Sequence, residues 1–165
     1  MPRRYYRKSV KFTGKGNWSH ENKGCAASFG EALVNNLAQG GSIIVPASNV
    51  QGTRTIGNLT VTVPVMGTSA NNNEYYWAVV YVPQGETAKA LFATTGNLDG
   101  SLYEPNQYVM ASRISDGTAG PIRIRSKIMR KLHSGDFISL IVGTPNATQV
   151  GESFRALVSY SIKYN

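Results

Sequence analysis

The sequence predicts an all-β protein: a single eight-stranded jelly roll, which is a Greek-key β-sandwich, preceded by a flexible basic N-terminal arm. Several short segments alternate apolar and polar residues, as half-buried strands do. Glycine, proline and asparagine mark turns between them at unequal spacing, which favours a Greek key over an up-and-down barrel. With 165 residues, one domain is expected. We predict the arm at 1–24 and the jelly-roll domain at 25–165.

The predicted arm carries most of the net charge of +8. Residues 1–24 hold seven bases and one acid, a balance of +6, whereas the remaining residues hold ten bases and eight acids. Cations interleaved with aromatic rings suit single-stranded nucleic acid, although a merely solvated tail has a similar composition. The expected nucleic-acid contacts are Arg3, Arg4, Tyr5, Tyr6, Arg7, Lys8, Lys11, Lys15 and Trp18. The basic run at 3–8 is also compatible with a nuclear import signal.

The segment from Pro121 to Gly143 is predicted to be two strands joined by a tight turn at 133–136. In the first half, isoleucines alternate with cations, so Ile122, Ile124 and Ile128 should face the core. The second half, 137–142, is almost wholly apolar, as in a strand buried on both faces. The cations of this segment are Arg123, Arg125, Lys127, Arg130 and Lys131. They suit a nucleic-acid interface, a subunit interface or a solvated strand face.

The other elements follow from local patterns. Residues 25–39 fit either a short amphipathic helix, because apolar residues recur every four positions, or a strand, because glycine and asparagine are weak helix formers. A strand ended by Gly40 and Gly41 is preferred. Further strands are predicted at 42–46, 58–65, 74–82, 107–114 and 154–164. The last should place Phe154 and the alternate residues to Tyr164 on one face, and 86–106 should be a long excursion.

No catalytic site is predicted, so an enzyme is not expected. His133, Ser134 and Asp136 share one turn, where they cannot easily take the separate positions of a catalytic triad. An aspartate accepting backbone N–H bonds is the simpler interpretation. Two histidines and the single Cys25 cannot form a Cys/His zinc cluster, so neither a metal nor another cofactor is expected. No apolar run approaches the ~18–20 residues of a membrane span, which argues against membrane insertion.

Four segments carry a family resemblance. They are Gln51–Arg54 before the strand at 59–63, Trp77–Gly85, Ser101–Gln107, and Arg123 through the turn at 133–136 to Val142. Their order, behind a basic arm, resembles that of capsid proteins of small circular single-stranded DNA viruses, the circovirus-like group that encodes a replication initiator. The resemblance covers about residues 50–143.

This resemblance implies a jelly roll that assembles as about 60 copies into a T=1 icosahedral shell around single-stranded DNA, with the arm facing inward. It implies a place in the virion and assembly in the host nucleus; the sequence does not indicate a host receptor. The arm is shorter and less arginine-rich than in circovirus capsids proper. Sixty arms would supply roughly 360 positive charges, too few for a genome of a couple of thousand nucleotides, so cations of the folded body are expected to contribute.

Two other interpretations remain open from the sequence. A non-viral β-barrel that binds single-stranded nucleic acid would have a similar charge distribution but would form no shell. A coat protein of a satellite-type RNA virus would also fit, because a basic arm recognises phosphate rather than sugar.

Overall fold

The computed structural model describes residues 17–33, 37–64, 74–88, 108–116, 120–144 and 153–164. All the regular secondary structure among these residues is β-strand, so the all-β prediction is confirmed. The strands are β1 (Ser19–Leu33), β2 (Leu37–Val45), β3 (Arg54–Val63), β4 (Glu74–Val82), β5 (Tyr108–Asp116), β6 (Ile122–Ser126), β7 (Arg130–Leu132), β8 (Phe137–Thr144) and β9 (Ser153–Tyr164). None of the described residues forms a helix long and apolar enough to cross a membrane.

Eight strands form two four-stranded antiparallel sheets in the hydrogen-bonded order β5-β4-β8-β2 and β1-β9-β3-β6. We call these the first and the second sheet; the pairing of β1 with β2 connects them. They pack face to face, since Trp77 of β4 meets Phe154 of β9 edge-on, with ring centroids 5.1 Å apart. Along these eight strands the chain changes sheet at every step except from β4 to β5, which are neighbours in the first sheet. This is the order of a jelly roll, as predicted. The short β7 pairs with β3 beyond the end of β6.

The core lies between the sheets and follows the predicted alternation. On β9, Phe154 and every second residue to Ile162 are buried, whereas Tyr164 at the strand end is 66% exposed. Strands β4 and β8 lie inside the first sheet and are buried on both faces, which explains their almost continuous apolar sequences. The prediction of doubly buried strands at 74–82 and 137–142 is therefore confirmed.

The prediction that 121–143 forms a hairpin is wrong. Strands β6 and β7 both pair with β3, whereas β8 pairs with β2 and β4 of the other sheet. The half-buried β6 suits a sheet edge, and the doubly buried β8 suits a sheet interior, so the turn between them crosses from one sheet to the other. Ile128 follows the end of β6 and is 49% exposed, not in the core.

Two predicted boundaries are also wrong. Strand β1 begins at Ser19, because β9 supplies backbone partners for residues 19–24, which were assigned to the arm. The described parts of the segment 25–39, residues 25–33 and 37–39, are strand, as preferred, but Gly40 and Gly41 lie within β2 and do not end it. A Cβ on Gly41 would lie only 2.6 Å from the Leu140 carbonyl oxygen, so glycine lets β2 and β8 approach. Residues 89–106 of the expected excursion lie outside the described residues.

The turn at 133–136 is organised by the buried side chain of Asp136. Its Oδ2 accepts hydrogen bonds from the His133 backbone N–H, at 2.7 Å, and from the Tyr81 hydroxyl, at 2.9 Å. Its Oδ1 accepts one from the Gln84 backbone N–H, at 3.0 Å. The prediction of a turn aspartate that accepts backbone N–H bonds is confirmed, and the same carboxyl group holds the end of β4.

Arg54 extends this polar cluster to the start of β3. It is buried, and its Nη1 and Nη2 donate to the carbonyl oxygens of Pro46 and Asp136, at 3.0 and 3.2 Å. The Gly135 N–H donates to the Ser48 carbonyl oxygen at 3.0 Å. The turn therefore ties together the segment after β2, the start of β3 and the end of β4, which joins the two sheets at one end of the sandwich.

Replacing Asp136 with Asn should lower the free energy of unfolding by about 2–3 kcal/mol, because an amide NH₂ would face donors in a buried site. Urea unfolding followed by tryptophan fluorescence measures this loss. Glu21→Gln, an exposed carboxylate on β1, is the matched control and should change the free energy by less than about 0.5 kcal/mol. Equal effects of the two changes would contradict the role given to Asp136.

Tyr81 predicts a loss of stability at alkaline pH. Burial, the hydrogen bond to Asp136 and the charge of Asp136 raise the pKa of Tyr81 above its ordinary value of 10.0, against the opposing effect of Arg130. The folded state therefore favours the protonated phenol. The resulting stability is present below about pH 10 and is lost as pH rises through the folded pKa. Tyr81→Phe should flatten the decline of unfolding free energy above pH 10, measured by urea unfolding across pH; an unchanged decline would contradict this assignment.

Candidate nucleic-acid interface

The outer face of the second sheet, which points away from the core, is built from alternate residues of its strands. Strand register places these residues in rows that run across the sheet. One row contains Arg125, Thr60, Ser159 and Asn22. The adjacent row contains Arg123, Thr62, Leu157 and Gly24. Side chains that the sequence scatters over more than 100 positions therefore form one surface.

Among the described residues, five cations lie on this face: Arg123 and Arg125 on β6, Arg155 and Lys163 on β9, and Lys131 on β7. All are exposed except Lys163, which is half-buried. Lys131 and Lys163 flank Thr55 of β3 on either side. Among the carboxylates whose side chains the structure describes, none lies on this face. Uncompensated positive charge of this kind attracts polyanions.

The surface between these cations, from β6 to β1, is open to solvent. Between β6 and β1 the two rows place Thr60, Thr62, Ser159 and Leu157, and Gly24 of β1 carries no side chain. Apart from Gly24 itself and its two chain neighbours, no heavy atom of the described residues lies within 4 Å of the position that a Cβ on Gly24 would take. Leu157, beside Gly24, is 55% exposed. An extended nucleic-acid chain could lie flat on this surface and still reach the surrounding cations.

Trp18, predicted to belong to the arm, lies on the same outer face. A carbon of its indole ring, Cη2, lies 3.9 Å from the position of a Cβ on Gly57, and the Met129 Cγ lies 3.1 Å from it. Trp18 is 40% exposed and Met129 is 67% exposed. The C-terminal part of the predicted arm therefore joins the folded domain at the cationic face.

A polar cluster lies beside Trp18. Ser161 of β9 is buried, and its Oγ lies 3.0 Å from Nδ1 of His20. Nδ2 of Asn58 donates to the same Oγ at 3.4 Å. Asn58 has a φ of 52° at the irregularity between Gly57 and Thr60, where the register of β3 against β9 shifts. This bulge turns the Asn58 side chain toward β9.

The predicted arm contacts Arg3, Arg4, Tyr5, Tyr6, Arg7, Lys8, Lys11 and Lys15 lie outside the described residues. Of the five cations predicted at 123–131, Arg123, Arg125 and Lys131 share the outer face. Lys127 is exposed just past the end of β6.

Arg130 is separated from the other predicted cations. It pairs with the core residue Ile56, so it points to the opposite side from Lys131. Its guanidinium carbon lies 4.1 Å from the ring centroid of Tyr81 and 4.5 Å from that of Tyr108. These cation–π contacts link β7 to the first sheet. The five predicted cations are close together in the sequence but therefore lie in two different environments of the folded domain.

Sequence reasoning missed Arg155 and Lys163 as site residues. The alternation of the last strand already placed them opposite its apolar face. The local pattern does not contain the strand order, in which β3 lies between β9 and β6. Only that order joins their charges to those of Arg123 and Arg125.

The histidine, cysteine and carboxylate side chains of the described part of the chain are dispersed. There, no group of three or more histidine, cysteine, aspartate or glutamate side chains could hold a metal ion. Cys25 is half-buried on β1, and burial raises the pKa of its thiol above the ordinary value, against the opposing effect of Lys23. An activated thiol requires a lowered pKa.

Comparison with known proteins adds little to this geometry. No protein-family model matches the sequence, and no curated protein matches it significantly. One similar solved structure is that of infectious bursal disease virus, Gt strain, at 10% identity and a TM-score of 0.30, covering 98% of this chain and 35% of that chain. Another is that of the Gx strain, at 13% identity and a TM-score of 0.16, covering 89% and 37%. The chain spans about a third of those chains, and at these TM-scores the similarity carries no argument.

The exposed cations of the outer face should contribute little to folding. Arg125→Gln is expected to change the free energy of unfolding by less than about 0.5 kcal/mol, because its side chain is solvated. Arg54→Gln should cost more than about 1 kcal/mol, because Arg54 is buried and satisfies two carbonyl oxygens. Urea unfolding of both variants compares them. A large loss in Arg125→Gln would show that this arginine serves the fold.

Proposed function

We propose that this chain is a viral capsid protein that assembles into a small icosahedral shell of about 60 subunits and encloses a single-stranded DNA genome, without catalytic activity. The observation that carries the proposal is the outer face of the second sheet. It gathers five cations with no described carboxylate, on the surface where Trp18 lies next to the arm. The protein would then be part of the virion, and the run at 3–8 would direct it to the host nucleus.

The charge of this face supports a role in packaging. The arm alone would provide roughly 360 positive charges in a shell of 60 subunits, and five body cations per subunit would add about 300. The outer face thus nearly doubles the charge available for phosphate neutralisation. It supplies the body cations that a short arm requires.

The two sheets differ in a way that suggests an orientation. The outer face of the first sheet carries a second apolar cluster, made of Ala78, Val80, Val82 and Ile141, each at most 5% exposed. The outer face of the second sheet is polar and cationic. We therefore assign the second sheet to the inside of the shell, where it would meet the nucleic acid together with the arm.

Assembly separates the capsid proposal from a single-strand-binding β-barrel, since both would use a cationic face. The full-length chain would be purified, imaged by negative-stain electron microscopy, and its ratio of absorbance at 260 and 280 nm recorded. Uniform closed particles that contain nucleic acid are expected. Small oligomers at every salt concentration tested would overturn the proposal, and RNA recovered from particles would redirect it to an RNA virus.

Gly24→Glu should reduce the nucleic acid in the particles while leaving shells intact. Gly24 is an open β-strand position without a positive φ, so a longer side chain fits, and a carboxylate there would lie within the cationic face. Gly24→Gln is the control of equal size and should package normally. The absorbance ratio of purified particles measures the difference. Equal nucleic acid content in the two variants would contradict a packaging role for this face.

A further inference from the structure

We propose that Trp18 and Met129, which lie over Gly57, form a stacking site for one unpaired base of the bound nucleic acid. This inference rests on the proposed function and assigns the base contact to a defined place on the folded domain. The chemistry is that of an aromatic platform between cations, which binds single-stranded nucleic acid through base stacking and phosphate contacts.

The backbone holds this site in place while leaving it accessible. Gly57 has no side chain, so the indole of Trp18 and the thioether of Met129 both approach the sheet there. A Cβ at this position would lie 3.1 Å from the Met129 Cγ, which is tighter than ordinary contact. Trp18 nevertheless keeps 40% of its surface exposed. A ring held on one side and free on the other is preorganised for stacking.

Rows that contain cations lie on both sides of the row of Gly57, which the ring approaches. Gly57, Ser161 and His20 form one row across the sheet. The row of Lys131, Thr55 and Lys163 lies on one side of it. The row that contains Arg125 lies on the other side, beyond the bulge. Adjacent rows on one face are about 7 Å apart, since each strand residue rises about 3.3 Å. A base on Trp18 would therefore have lysines near one neighbouring phosphate and Arg125 near the other.

The site should prefer single strands without reading their sequence. Stacking uses the π-face that every base presents, and it requires a base free of its duplex neighbours. Asn58 donates to Ser161, and His20 also lies within hydrogen-bond distance of Ser161. These side chains are therefore engaged with the protein instead of reading a base edge.

The experiment measures the affinity of the full-length chain, stripped of nucleic acid, for a labelled oligothymidylate. The probe has about 20 nucleotides, more than one stacking site requires. Trp18→Leu should weaken binding about 5- to 150-fold, the range for losing one stacked base, and Trp18→Phe should retain part of the affinity. Duplex DNA of the same length should bind Trp18→Leu as it binds the natural sequence.

Fluorescence supplies an independent readout, because the chain has two tryptophans. Trp77 is 1% exposed and donates to Ser115 Oγ at 2.7 Å, so it reports folding and not the ligand. The probe should quench emission in the natural sequence and leave Trp18→Leu unchanged. Tyr164→Leu removes another exposed aromatic ring, from the core-facing side of β9, and should bind normally.

The outcomes separate this site from the wider proposal. If Trp18→Leu binds and packages normally while Gly24→Glu loses nucleic acid, the stacking site is wrong and the cationic face stands. If Tyr164→Leu loses as much affinity as Trp18→Leu, the effect is not specific to the site, and the assignment is overturned. If neither Trp18→Leu nor Gly24→Glu changes binding or packaging, both the stacking site and the packaging role of the cationic face are wrong.

Discussion

The antiparallel register of β9 determines both the core and the cationic face. Strand β9 lies between β1 and β3 and pairs with each along most of its length. A slip of one residue would turn Arg155 and Lys163 into the core and expose Phe154 and Val158. Burying unpaired cations is costly, so the charges that suit a polyanion also help to fix the register. The alternation of apolar and cationic residues along β9 thus contributes both to folding and to the proposed binding.

Polar and charged side chains in two regions of the described structure have different roles. At one end of the sandwich, Asp136, Arg54 and Tyr81 satisfy each other and nearby backbone groups, which joins the two sheets. On the outer face, by contrast, Arg123, Arg125 and Arg155 point to solvent. Buried groups with satisfied hydrogen bonds stabilise a fold, whereas solvated cations are available to a partner. This division allows the face to change charge without unfolding the domain.

The sequence was sufficient to predict the individual strands and insufficient to predict their partners. Alternation identified β3, β6 and β9, and continuous apolar runs identified β4 and β8, because burial is a local property of a strand. The turn at 133–136 gave no sign that it crosses between sheets, since its residues suit a hairpin equally well. Residues 19–22 are exposed on β1 and read as a solvated arm; they form a strand only because β9 pairs with them.

The same limit applied to the candidate site. A spacing of two residues places Arg123, Arg125 and Lys131 on one face and Arg130 on the opposite one. The contacts of Arg130 with the rings of Tyr81 and Tyr108 depend on the packing of the two sheets, which no local pattern contains. Strand order, which no local pattern contains, added Arg155 and Lys163. The position of Trp18 on Gly57 depends on contacts between residues 39 positions apart and was likewise inaccessible to the sequence.

A cryo-electron microscopy reconstruction of particles formed by the full-length chain tests the central claim most directly. The account predicts a closed shell whose inner wall is the second sheet, with nucleic-acid density over the face that contains Arg125, Arg155 and Trp18. A shell with the second sheet on its outer surface, or nucleic-acid density only against other parts of the domain, would contradict it.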